Sequence, residues 1–144
     1  MPGCGDDVFI DNFLNDNITK KKLGVDESIY YYQCADLYYK WGESVDFYRK
    51  DIEQLSKEGF KAWLFSGTED MAVTTLGTLR WINYSNFTID KKWNQWYVDN
   101  QVAGMEQKYV NGLTLITVKG CGHMVPQNNP KAAKIILDKF IESD

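Results

Sequence analysis

The chain has 144 residues, of which 44% are hydrophobic and 15% aromatic, with a net charge of −4. That is one ordinary domain, 1–144, with enough apolar material for a core, so extended disorder is not expected. The acidic balance and the lack of a basic block exclude phosphate-backbone binding, so no nucleic acid is expected as a partner. No apolar run is long enough to span a bilayer, so no membrane is expected either.

The opening "MPGCGDDVF" has no basic region followed by an apolar core, and is not read as a signal peptide. Residues 9–24, "FIDNFLNDNITKKKLG", space Phe9, Ile10, Phe13, Leu14, Ile18 and Leu23 as one or two short helices, with Gly24 as the stop. In "SIYYYQCADLYYKWG", Tyr30, Cys34, Leu37, Tyr38 and Trp41 recur at helical steps. Ser44 suits an N-cap for "VDFYRKDIEQLSKEG", whose apolar stripe is Val45, Tyr48, Ile52 and Leu55 and whose stop is Gly59.

The period then changes. "FKAWLFSG" is a short, nearly continuous apolar run, the pattern of a buried parallel strand. "TEDMAVTT" is a loop at its carboxyl end, and "TTLGTLRWINYS" is a short helix. "KKWNQWYVDN", "QVAGMEQKYV" and "LTLITVKG" are strand-like. The first two suit a hairpin around Asp99-Asn100, and Asn111-Gly112 is a turn between the second and third. After "GCGHMVPQNN", Pro130 opens a final helix with Ala133, Ile136, Leu137, Phe140 and Ile141 inward.

The expected fold class is therefore α/β, with two buried strands that each deliver a loop at the carboxyl end, where sites collect in open α/β sheets. One loop carries Asp70 and the other His123, the only histidine in the chain. A carboxylate beside an imidazole can accept its Nδ1–H and fix the tautomer, leaving Nε2 to move a proton. Glycines beside His123 permit close backbone approach, and Pro126 stiffens the exit. A lone loop histidine with ordinary hydrogen bonds is the competing reading, and the residue pattern leaves both open.

Cysteines number three, at Cys4, Cys34 and Cys121. They cannot all pair internally, so they are either buried free thiols of a cytosolic domain or have one or more partners that lie outside this sequence. With one histidine and no CxxC pair, no metal site and no cofactor is expected. Three N-x-[ST] sequons make Asn17, Asn83 and Asn86 glycosylation candidates, the last two overlapping in a polar stretch that reads as a loop.

"FKAWLFSGTED", then "TTLGTLRWI", then "WYVDNQVAGMEQKYVNGLTLITVKGCGHMVPQNNPKAA" resemble the C-terminal part of the serine carboxypeptidases, a lysosomal, vacuolar or secreted family that includes cathepsin A. The likeness is carried by a strand ending in Ser-Gly-x-x-Asp, a Gly-Thr and Trp helix, a "VAG" strand, and "GHMVP" before a proline-started helix. "FIDNFLNDNITKKKLGV" and the Tyr32-to-Cys34 segment also look like family segments, so the likeness runs through nearly the whole chain. It implies the C-terminal part of an α/β-hydrolase sheet with flanking helices and a β-hairpin insertion, an incomplete fold. It also implies Asp70 as triad aspartate, His123 as triad base, and Met124 lining the pocket for the leaving residue. Where the family motif has its first acid, this chain has Thr68, followed by Glu69. Cys4 and Cys34 stand where the family pairs with upstream cysteines absent here, and Cys121 is expected unpaired.

The family's triad runs serine, acid, histidine. "WGESVD" offers Gly42-Glu43-Ser44, but a nucleophile elbow needs a preceding strand and a small residue two positions after the serine. Here helical spacing precedes it and Asp46 follows, so Ser44 reads as an N-cap. A Cys121–His123 nucleophile pair is disfavoured because only Gly122 separates them. The expectation is a chain that supplies Asp70 and His123 to a serine-type carboxypeptidase and lacks the nucleophile region. Its partners would be a peptide substrate and the upstream part of the same domain, with a homodimer left open. A truncated binding protein and a related acyltransferase are the alternatives.

Overall fold

The computed structural model describes residues 8–32 and 45–143. The chain divides into two compact units, Met1–Trp41 and Gly42–Asp144. Cys4, Cys34 and Ser44, and the Leu37, Tyr38 and Trp41 positions of the aromatic run, lie outside the described residues.

In the first unit the expected pair of short helices is present, as α1 (Val8–Asn15) and α2 (Asn17–Leu23). Asp16 separates them by capping α2: its carboxylate accepts the Thr19 N–H at 2.8 Å. Gly24 ends α2 in the left-handed region, at φ 69°. The helical spacing that starts at Tyr30 is not followed there. Asn15 instead takes both backbone groups of Tyr31, donating to its carbonyl at 3.1 Å and accepting its N–H at 2.7 Å. A side chain that satisfies the backbone removes the need for helix bonds. Lys20 is buried, its ammonium donating to the Glu27 carbonyl at 3.2 Å, 6.0 Å from the centre of the Tyr30 ring.

The second unit runs α3 (Val45–Lys57), β1 (Ala62–Gly67), α4 (Thr75–Tyr84), β2 (Ile89–Val98), β3 (Gln101–Tyr109), β4 (Leu113–Val118), α5 (Val125–Asn128) and α6 (Pro130–Glu142). The sheet order is β1-β4-β3-β2, with β1 and β4 parallel and the other neighbours antiparallel. The hairpin inserted between α4 and β4 is thus part of the main sheet and extends it beyond β4. Asp99 and Asn100 turn that hairpin with φ of 49° and 61°, the paired left-handed geometry of a two-residue turn. In α3 the expected stripe is not covered at Leu55, which is 46% exposed.

β4 is buried along its whole length, as expected of a near-continuous apolar strand between two neighbours. Its side chains alternate between two cores. Leu113 and Leu115 join Ile82 and Tyr109, with Leu79 and Trp81 of α4 packed against them. Ile116 and Val118 face the other way, joining Trp96, Val125, Ala132 and Ile136. Helices therefore cover both faces of β4, and full burial of each such aliphatic side chain stabilises by roughly 1.5–3 kcal/mol. Gly104 in β3 permits a close crossing: the Trp96 indole donates to the Thr117 carbonyl at 2.9 Å. A Cβ on Gly104 would lie 1.8 Å from that oxygen.

Candidate active site

The parallel pairing of β1 with β4 places Gly67 opposite Val118, so both strands end at the same level. Their loops then cross-link. Thr68 N–H donates to the Val118 carbonyl at 3.0 Å, and Glu69 N–H to the Cys121 carbonyl at 2.9 Å. A Cβ on Gly67 would sit 2.3 Å from the carbonyl oxygens of both Cys121 and Gly122. The approach requires glycine for want of space, with no unusual backbone angle involved.

This framework brings Asp70 and His123 together, with Nδ1 of His123 3.0 Å from Oδ2 of Asp70. The other carboxylate oxygen accepts the N–H groups of Ala72 and Val73 at 2.8 and 2.9 Å. Both oxygens are occupied, so the carboxylate is held in orientation. The side chain of Asp70 is only 6% exposed, that of His123 58%. The bond to His123, followed by that from Val73, holds the Asp70 carboxyl below the usual carboxylate range against the opposing effect of burial. With Asp70 ionised, Nδ1 is the protonated nitrogen, and Nε2 is free to accept.

Asp70 and His123 line a pocket of about 230 Å³ together with Phe65, Ser66, Val73 and Val125. Ser66 is the serine in this wall, and its hydroxyl is committed elsewhere. Its Oγ lies 2.9 Å from Thr75 Oγ1, which itself donates to the Gly67 carbonyl at 3.1 Å. Cys121 is 2% exposed, and burial pushes its thiol up, away from the reactive thiolate. A buried, neutral thiol beside an exposed imidazole does not make a nucleophile pair. Met124 is 52% exposed, next to His123 but outside the wall of that pocket.

Among the described residues no group of three or more His, Cys, Asp or Glu could hold a metal ion. The sequon asparagines Asn17, Asn83 and Asn86 are all exposed. Asn83, however, sits in the last turn of α4 and not in a loop. Ser85 of the same sequon is buried and donates to the Trp81 carbonyl at 3.0 Å.

Two side chains that the sequence did not single out hold the histidine turn. Thr68 Oγ1 accepts the Gly120 N–H at 2.9 Å, and Asn128 Oδ1 accepts the Gly122 N–H at 2.9 Å. Thr68 stood out only as a departure from a motif. Nothing about Asn128 distinguishes it from Asn129, whose side chain caps α6 by accepting the Ala132 N–H at 3.0 Å.

The profile of the serine carboxypeptidase family matches residues 2–143. Serine carboxypeptidase-like 21 of Arabidopsis thaliana is 31% identical over 98% of this chain and 29% of its own length. Serine carboxypeptidase-like 20 of the same plant is 32% identical over 96% and 28%. Serine carboxypeptidase 24, again from that plant, is 36% identical over 75% and 23%. The chain thus spans less than a third of the length of these relatives. Among solved structures, Kex1(delta)p, a prohormone-processing carboxypeptidase from Saccharomyces cerevisiae, superposes with a TM-score of 0.64 at 20% identity. That match covers 97% of this chain and 33% of the yeast protein, and it shows the fold: the four-stranded mixed sheet with its helices is part of the carboxypeptidase α/β-hydrolase architecture. With the family profile matched from residue 2 to residue 143, the chain belongs to the serine carboxypeptidase family.

Proposed function

We propose that this chain contributes the acid and the base of a serine-type carboxypeptidase site, Asp70 and His123. The observation that carries this is the 3.0 Å contact between His123 Nδ1 and an Asp70 carboxylate whose second oxygen is pinned by two backbone N–H groups. In this reading Nε2 of His123 takes the proton of a serine hydroxyl as that oxygen attacks the terminal peptide carbonyl. The same proton then goes to the departing amine, leaving an acyl-enzyme. Water, deprotonated by Nε2 in turn, releases the acid. Asp70 keeps the imidazole in the Nδ1–H tautomer and stabilises the imidazolium that forms.

The serine, the oxyanion donors and the groups for the substrate's terminal carboxylate belong, in this reading, to the upstream part of the domain. An apolar groove of about 540 Å³ between β1 and α6, walled by Trp63, Phe65, Leu137 and Phe140, supports it by offering that part a face to cover. Met124 would contact the leaving residue. A secretory, lysosomal or vacuolar compartment is part of the same reading, which the exposed sequon asparagines support.

A serine-directed organophosphate tests the proposal. The 144-residue chain alone stays unlabelled and does not hydrolyse blocked dipeptides. Produced together with the upstream part of the domain, the assembly is labelled on a serine outside this chain and releases the C-terminal residue. Labelling of the isolated chain, at Ser44 or Ser66, would overturn the division of the site. Labelling of the assembly with acyl transfer in place of hydrolysis would identify an acyltransferase.

A further inference from the structure

The turn that carries His123 is held at two points by side chains. Gly120, in the left-handed region at φ 72°, gives its N–H to Thr68 Oγ1 at 2.9 Å. Gly122, immediately before His123, gives its N–H to Asn128 Oδ1 at 2.9 Å. Between them, the Cys121 carbonyl accepts the Glu69 N–H at 2.9 Å. Three successive residues of the turn are therefore tied, and two of the ties come from the acid-bearing loop itself.

The Thr68 hydroxyl also has a use for its own proton: Oγ1 lies 3.2 Å from Glu69 Oε1. A hydroxyl that accepts from Gly120 and donates to Glu69 is fixed in rotation. Donation to a carboxylate makes its oxygen a better acceptor, because successive bonds polarise one another. Asn128 is placed differently. It stands at the end of α5, the single turn of helix that leads out of the histidine loop, and reaches back across it.

We propose that Thr68 and Asn128 are positioning residues that clamp the Gly120–Gly122 turn so that the His123 imidazole meets Asp70 in one orientation. This rests on the proton-transfer role given to His123 above. Neither side chain touches His123 or Asp70 through a hydrogen bond of its own; each acts through the backbone on either side of Cys121. Two flanking glycines make the turn permissive, and the clamp removes the freedom they introduce.

Because His123 is the only histidine, its ring nitrogens can be read without assignment in a nitrogen–proton correlation spectrum of the labelled 144-residue chain. The wild-type chain shows a single tautomer with the proton on Nδ1. Thr68→Val and Asn128→Leu each give a mixture of the two tautomers, and backbone exchange at Gly120 or Gly122 quickens roughly tenfold, the loss of one hydrogen bond. Thr68→Ser and Asn128→Asp, which keep the acceptor, restore the wild-type pattern. A single Nδ1–H tautomer in both Thr68→Val and Asn128→Leu would overturn the proposal. So would a mixture in Thr68→Ser as large as in Thr68→Val. Collapse of the circular-dichroism spectrum in Thr68→Val or Asn128→Leu would also overturn it, by making the residue one of the fold. None of these outcomes depends on turnover, so the clamp can fail while the catalytic reading stands, and the reverse.

Discussion

His123 and Asp70 are 53 residues apart in sequence and meet at 3.0 Å because each follows the end of one strand of a parallel pair. The contact is one-sided in exposure, a buried acid under an open imidazole, the arrangement that suits proton traffic at Nε2. In the assembly proposed above, Asp70→Asn keeps the shape but offers an amide that can present its N–H to the ring and favour the wrong tautomer. The expected loss in kcat is roughly 10⁴-fold. His123→Ala lowers kcat by a comparable factor while keeping the circular-dichroism spectrum, and it lowers the melting midpoint only by what the lost bond to Asp70 contributes. Steady-state kinetics and a thermal melt on each variant check both statements.

Acid should weaken the folded chain through Asp70. Its carboxyl is held below the ordinary range by His123 and by the Val73 and Ala72 N–H groups. A depressed folded pKa means that the ionised form is favoured by folding. The stabilisation is complete above the unfolded value, near 4, and is lost as pH falls through the lower folded value. Urea unfolding across the acid range should therefore show wild type losing stability more steeply than Asp70→Asn. Parallel slopes for the two proteins would refute the assignment.

Gly67→Ala tests the closeness of the two loops. The new methyl would sit 2.3 Å from two backbone carbonyl oxygens, and backbone cannot swing aside as a side chain can. The loops must separate, at a cost of about 1–3 kcal/mol or more. The pairing of Asp70 with His123 should be lost with it, seen as the disappearance of a protected Nδ1–H resonance. Retention of that resonance in a fully folded Gly67→Ala chain would count against the geometry.

The two-faced packing of β4 predicts a large response to core truncation. Leu115 is fully buried in the α4-side core, and Leu115→Ala should cost about 2–5 kcal/mol. Ile141 of α6 is 69% exposed, and Ile141→Ala should change stability by less than about 0.5 kcal/mol. Denaturant titration of the two variants beside wild type decides the matter, and equal midpoints would contradict the described core.

Periodicity made α3, α4, α6 and the three strands of the meander legible as elements, because each has a long enough apolar pattern to show its repeat. It did not fix the buried face of α6: Leu137 and Ile141, expected inward, are 55% and 69% exposed. The Asp–His pairing was legible because both loops leave strand-like apolar runs at their carboxyl ends, although only β4 is buried throughout: β1, expected buried, is an edge strand with Phe65 half exposed. Tyr30 misled because aromatic spacing looks helical whether or not the backbone is free to coil, and Asn15 had already taken the Tyr31 backbone groups. The four-residue α5 is too short to display a period. Burial of Lys20 and the ties from Thr68 and Asn128 arise between residues distant in sequence or in polar loops, where composition carries no signal of contact.

The register of β1 against β4, Gly67 beside Val118, sets the level at which acid and base meet. Everything from α4 through the Asp99-Asn100 turn is a detour whose length the chemistry does not measure. The tip of that detour is a port: a peptide epitope or an affinity handle spliced between Asp99 and Asn100 would leave the distance between Asp70 and His123 as it is, while giving the sheet's far edge a new surface to offer.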